Sequence, residues 1–182
     1  MTSKEKETAK VALPEKVSVK FENNILTIKG PMGEVSRDFS KIPIGVKASG
    51  KEVVFTTFGS RRSDHAILNT CQSHMNNMTK GVTQGFKYKL KVAYAHFPIT
   101  IKVKGPEVHV ENFYGERFPR IAKIVGKQTK VTPEGDDVVV VGPSIEEVSQ
   151  TAANIESATR VKDKDARIFL DGVYIFERKK PA

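Results

Sequence analysis

The sequence predicts an α+β fold of two tandem, duplicated domains, each an antiparallel β-sheet with a helix packed on one face. Three observations carry the prediction. Turn signals divide most of the chain into short runs that alternate apolar and polar residues, the period of a half-buried strand. Two stretches instead space their apolar residues as a helix does. The same order of strands followed by a helix occurs twice, the second about 80 residues after the first.

The opening residues 1–10, MTSKEKETAK, are charged and polar and read as a flexible lead-in. The first domain is expected over residues 11–82. Within it, KVSVKFENNILTIKGPMGEVSRDF reads as three strands, with turns at Asn23-Asn24 and at Gly30-Pro31-Met32-Gly33. KEVVFTTF is a further strand. The period then changes in SDHAILNTCQSHMNNM, where Ile67, Cys71, Met75 and Met78 share one helical face. Ser63 is placed to cap that helix.

The second domain is expected over residues 83–176. FKYKLKVAYA alternates Phe86, Tyr88, Leu90, Val92 and Tyr94 with Lys87, Lys89 and Lys91, and ITIKVKG, EVHVENF and DDVVVVG are strands after it. SIEEVSQTAANIESA is a helix with Ile145, Val148, Ala152 and Ile155 on one face and a capping box at Ser144 and Glu147. Asp171-Gly172 reads as a tight turn needing positive φ, followed by a strand from Val173 to Phe176, with residues 177–182 a basic tail. The two halves share a Gly-Glu pair, at Gly33-Glu34 and Gly115-Glu116. The domain break is expected near Gly81-Val82, inside a glycine-bearing linker with some hinge freedom.

Composition narrows the function. Lys and Arg number 30 against 21 Asp and Glu, for a net charge of +9, which favours a polyanionic partner. No apolar run is long enough to span a bilayer, and both helices lack the basic amphipathic face of a membrane-surface binder. The N-terminus has no signal-peptide core, so a cytoplasmic protein is expected. Cys71 is the only cysteine, which leaves no internal disulfide and no thiolate cluster.

Catalytic chemistry finds little support. Gly45 to Lys51 fits the start of a P-loop, but Glu52 stands where Ser or Thr would hold magnesium, and a strand follows instead of a helix. His65, His74, His96 and His109 are too scattered for a metal site. Cys71 lies on an apolar stripe with no histidine to activate it. Asp136-Asp137 sits at a turn, and Glu146-Glu147 opens a helix, where carboxylates suit the macrodipole. The reading is a protein without catalytic residues, metal, cofactor or small-molecule substrate.

The cations are segregated. Between Gly85 and Lys130 ten Lys or Arg face only Glu107, Glu111 and Glu116, whereas residues 131–150 hold five acids and no base. Arg160, Lys162, Lys164, Arg167, Arg178, Lys179 and Lys180 add a second block towards the C-terminus. No helix-turn-helix, zinc finger or stacking-sheet pattern accompanies them. Recognition of backbone and shape by loops, edges and a tail suits structured RNA. A basic adaptor that binds proteins through its sheet edges, or a generic binder of structured RNA, is the alternative.

The duplicated layout, ILTIKGPMGEVSR, LNTCQSHMNNMTKGVTQGFKYKLKVAYAHFP and RIFLDGVYIFERK together resemble the family of large-subunit ribosomal protein six, in its archaeal and eukaryotic form. The resemblance spans roughly Leu13 to Lys180, and its most specific parts are NNMTKGVTQGF and the pattern of Arg167, Phe169, Asp171, Gly172 and Tyr174. DARIFLDGVY stands where the bacterial branch carries a GKG run. The resemblance implies a structural, non-enzymatic ribosomal protein that binds large-subunit ribosomal RNA beside the sarcin–ricin loop, near the stalk base, with neighbouring ribosomal proteins as further partners. It also implies that the second domain makes most of the RNA contact. The residues expected to meet RNA are Lys102, Lys104, Arg160, Lys162, Lys164, Arg167, Tyr174, Arg178, Lys179 and Lys180; Lys87, Lys89 and Lys91 share one strand face that solvent alone could cover.

Overall fold

The structure is a computed structural model that describes residues 7–50, 52–162, 164, 165 and 167–179, with the backbone alone at Lys179. The chain divides into two compact units, the first ending at Gly85 and the second beginning at Phe86.

The first unit contains β1 (Thr8–Ala12), β2 (Ser18–Glu22), β3 (Ile25–Gly30), β4 (Gly33–Asp38), β5 (Ile44–Ser49), β6 (Glu52–Thr57) and α1 (Arg62–Gln84). Two antiparallel sheets form, β1-β6-β5 and β2-β3-β4. Asn23 and Asn24 both adopt left-handed backbone, with φ 51° and 62°, as a two-residue hairpin turn requires. Leu26, Ile28, Val53 and Phe55 meet Leu68, Cys71, Met75, Met78 and Val82 of α1 in the core. Gly30 is needed for this packing: a Cβ there would lie 2.6 Å from the Val82 carbonyl oxygen.

The second unit contains β7 (Phe86–Ala93), β8 (Thr100–Lys104), β9 (Glu107–Glu111), a 3-10 turn (Phe113–Gly115), β10 (Arg120–Lys123), β11 (Lys130–Glu134), β12 (Asp137–Gly142), α2 (Ile145–Ala158) and β13 (Gly172–Lys179). Its sheets are β11-β12-β7-β13 and β10-β9-β8. Advancing each strand of the first unit by six gives β7-β12-β11 and β8-β9-β10, so the topology repeats and α2 follows β12 as α1 follows β6. Among the strands of the described residues, β13 alone has no counterpart. Phe86, Leu90, Val138, Val140 and Val173 pack with Val148, Ala152 and Ile155 of α2.

The α+β class and the duplication are as the sequence predicts, with the strands of each unit shared between two sheets. Several boundaries differ. Thr8, Ala9 and Lys10, placed in the lead-in, form β1 against β6, because Val11 is buried and draws its neighbours into the edge of the sheet. The expected linker NNMTKGVTQGF is the end of α1, since Met75, Met78 and Val82 extend its buried stripe. The break therefore falls after Gly85, whose φ of 79° ends the helix, and not near Gly81-Val82. Glu177, Arg178 and Lys179, assigned to the tail, continue β13 in register with Lys89, Tyr88 and Lys87. Ser63 lies inside α1; the Asp64 carboxylate accepts the Arg61 N–H at 3.0 Å in its place. The Gly45 to Lys51 stretch holds β5 and enters the hairpin to β6, with Lys51 outside the described residues.

Candidate nucleic-acid interface

The predicted RNA-contacting residues fall into three places in the second unit. Arg160, Lys162, Lys164 and Arg167 lie on the loop between α2 and β13, and Tyr174 stands just beyond it. Arg178 and Lys179 lie at the far end of β13, roughly 20 Å away along the strand by its rise per residue. Lys102 and Lys104 lie on β8, at the edge of the other sheet. The structure does not gather the ten into one cluster, and Lys180 lies outside the described residues.

The loop is pinned at both ends. Thr159 ends α2, and its hydroxyl accepts the buried Val173 N–H at 2.9 Å. At the far end the buried Asp171 accepts the Ala95 N–H at 3.1 Å. The Tyr174 hydroxyl donates to the Leu170 carbonyl at 3.1 Å. Gly172 is not in the positive-φ region that the tight-turn reading requires. Its Cβ would lie 3.0 Å from the Tyr174 ring instead, so the small residue makes room for that ring. The Asp-Gly-x-Tyr pattern therefore works as a clasp that holds the loop on β13.

Between these anchors the loop presents its cations. Asp165 accepts the Arg167 N–H at 3.0 Å and pairs with its guanidinium, which holds the Asp165 carboxyl below the usual carboxylate range. That pair is open to water, so it is weak and a phosphate can compete for Arg167. Lys164 lies against two rings, its ammonium 4.6 Å from the Tyr114 ring centre and 4.8 Å from that of Phe169. Arg160 and Lys162 are exposed, and Ile168 and Leu170 of the same loop are exposed apolar side chains.

Elsewhere the predicted cations differ in their surroundings. Lys102 is tied to Glu111 at 2.6 Å, and this contact holds the Glu111 carboxyl below its ordinary range. Lys104 and Arg178 are exposed. Lys89 pairs with Glu177 across β7 and β13 at 2.9 Å.

One residue that sequence reasoning did not single out organises the loop. Arg120 contacts Glu116 through two bonds, at 2.9 and 2.6 Å, and lies 4.2 Å from the centre of the Phe113 ring. It also donates to the carbonyls of Ala158 and Arg160, each at 3.1 Å. With its donors engaged by a carboxylate and two carbonyls, Arg120 holds the start of the loop. In sequence it is one cation among ten, and nothing local marks it.

Among the described residues no group of His, Cys, Asp and Glu is placed to hold a metal ion, and no helix is long and apolar enough to cross a membrane. A family model described as Ribosomal protein L6 matches residues 13–85 and 97–172, one stretch in each unit. The chain is 45% identical over 170 residues to the large ribosomal subunit protein uL6 of Staphylothermus marinus, covering 92% of each chain. It is 43% identical over 169 residues to that of Methanobrevibacter smithii, covering 93% of this chain and 94% of the relative. A third relative of that name, from Ignicoccus hospitalis, is 43% identical over 176 residues and 94% of each chain. The duplicated fold and matches that run through both units make this chain a member of the ribosomal protein L6 family, on its archaeal-type side.

Proposed function

We propose that this chain is a structural component of the large ribosomal subunit that holds large-subunit ribosomal RNA beside the sarcin–ricin loop, at the stalk base, where it also meets neighbouring ribosomal proteins. As a ribosomal protein L6 family member it is a non-enzymatic ribosomal protein of the cytoplasm. Its second unit is the main RNA-binding domain. The observation that carries the reading is the pinned loop between α2 and β13, which projects Arg160, Lys162 and Arg167 into solvent from a base fixed by Thr159, Asp171 and Arg120. A preorganised cationic loop meets phosphates with less ordering cost than a flexible one. Arg178 and Lys104 extend the positive surface, and Lys102 joins it once phosphate displaces Glu111.

The test is binding of the full chain to a large-subunit RNA fragment carrying the sarcin–ricin region, beside an unrelated structured RNA of equal length. Selective binding, lost when Arg160, Lys162 and Arg167 are changed to Glu, is the expected result. Equal binding to both RNAs overturns the assigned location.

A further inference from the structure

We propose that the cleft between Phe169 and Tyr174 receives one unpaired nucleobase, stacked on Phe169 while Arg160 meets the adjoining phosphate. This rests on the RNA reading above and specifies the form of RNA that the site takes.

The cleft has a volume of about 330 Å³ and is walled by Phe169, Tyr174 and Val161, with Glu156, Ser157 and Arg160 also lining it. That is near the lower end for small-ligand clefts, roughly 300–1,000 Å³, and suits one planar ring system. Both aromatic walls have contacts within the second unit. Phe169 is held by the Lys164 ammonium at 4.8 Å and by an edge contact to Tyr114 at 6.2 Å, yet 38% of its surface stays exposed. Tyr174 is held by its hydroxyl bond to Leu170, and 44% of its surface is exposed.

Charge decides the occupant. Arg160 lines the cleft and Lys162 directly follows its wall residue Val161; both are exposed, and no described carboxylate forms an ion pair with either. An apolar slot with a cationic rim matches a base, whose faces are apolar and whose backbone is anionic. Glu156 does not oppose this: its carboxylate accepts the Ile175 N–H at 3.4 Å, so part of its charge faces the strand. A base paired within a duplex hides both faces by stacking, so only a bulge, loop or end can supply one. Stacking on an aromatic ring is tolerant of base identity, and the cleft is expected to select for an unpaired base more than for its sequence.

The test uses the full chain and three RNA hairpins of one stem: fully paired, with a single bulged nucleotide, and with that nucleotide abasic. The bulged hairpin is expected to bind about tenfold tighter than the other two. Phe169→Leu keeps an apolar side chain but removes the stacking face, and is expected to abolish the preference for the bulged over the abasic hairpin. The comparison of bulged with abasic RNA needs no variant, so it stands even if Phe169→Leu disturbs the loop. Equal binding of all three hairpins overturns the base-binding cleft and leaves the RNA reading intact. Failure to bind any hairpin at low salt overturns both.

Discussion

Thr159 and Val173 close the base of the loop between α2 and β13: the Thr159 hydroxyl accepts the Val173 N–H at 2.9 Å, fully buried, across 14 residues of sequence. The bond has a second consequence. β13 is the edge of its sheet, and the outward N–H groups of Val173 and Ile175 are taken by Thr159 and Glu156. An adaptor that recruits proteins by adding a strand to this edge would find those donors occupied. That part of the edge, from Val173 to Ile175, is guarded against pairing.

Replacing Thr159 by Val, which keeps the shape and removes the acceptor, leaves a buried N–H without a partner. Urea unfolding is expected to show a loss of about 1–3 kcal/mol. Thr159→Ser, which keeps the hydroxyl, is expected to recover most of it. Equal stability of the Val and Ser variants would contradict the role given to this bond.

Gly30→Ala places a methyl 2.6 Å from the Val82 carbonyl oxygen and 2.9 Å from the Val82 Cβ. Both are rigid parts of α1, so helix and strand must separate. A destabilisation of about 1–3 kcal/mol is expected from such overpacking. Affinity for RNA at a temperature where the variant stays folded is expected to be unchanged, because the loop belongs to the other unit.

Two glutamates give stability opposite dependences on pH. The Arg120 guanidinium holds the Glu116 carboxyl below its usual range. Its stabilising contribution is therefore complete above the pKa of an unfolded glutamate and is lost as pH falls through the lower, folded value. Burial, reinforced by Glu146, raises the Glu147 carboxyl. Its contribution is complete below the unfolded pKa and disappears as pH rises through the folded value. At neutral pH, Glu116→Gln is expected to cost about 1 kcal/mol, whereas Glu147→Gln is expected to stabilise. Both differences should fade at acid pH. Thermal melts of the two variants at pH 7 and pH 3 check the signs.

Cys71 is fully buried on the core face of α1, and burial pushes its thiol pKa up. A thiol reagent such as DTNB is expected to label it only as the first unit unfolds, at a rate that follows urea concentration. Rapid labelling of the native chain would show that the helix face opens locally.

Much of the fold was legible because strong local signals agreed with the tertiary structure. Asn23-Asn24 demands left-handed backbone, and the apolar faces of α1 and α2 point into their cores. Where those signals were short or polar the sequence was mute. β1 has one buried side chain, Val11, and β10 has four residues, too few to display an alternation. The end of α1 was hidden by Gly81 and Gly85, two residues that read as a linker although only the second ends the helix. The loop was legible as a run of cations. Its anchors were not, because Arg120, Thr159 and Asp171 act across distances of 14 to 76 residues. Gly172 has no positive φ; its close approach to the Tyr174 ring is a side-chain contact that the turn pattern does not display.

On the reading proposed above, Arg160, Lys162 and Arg167 neutralise RNA phosphates from the pinned loop. The most direct test is the salt dependence of binding to the sarcin–ricin fragment, for the native chain and for a variant with all three changed to Gln. Each lost phosphate contact lowers the slope of log affinity against log salt by roughly 0.7–0.9. A slope shallower by about 2–3 in the variant is the predicted result. Parallel slopes would mean that these side chains do not touch phosphate, and the loop would have to be removed from the RNA interface.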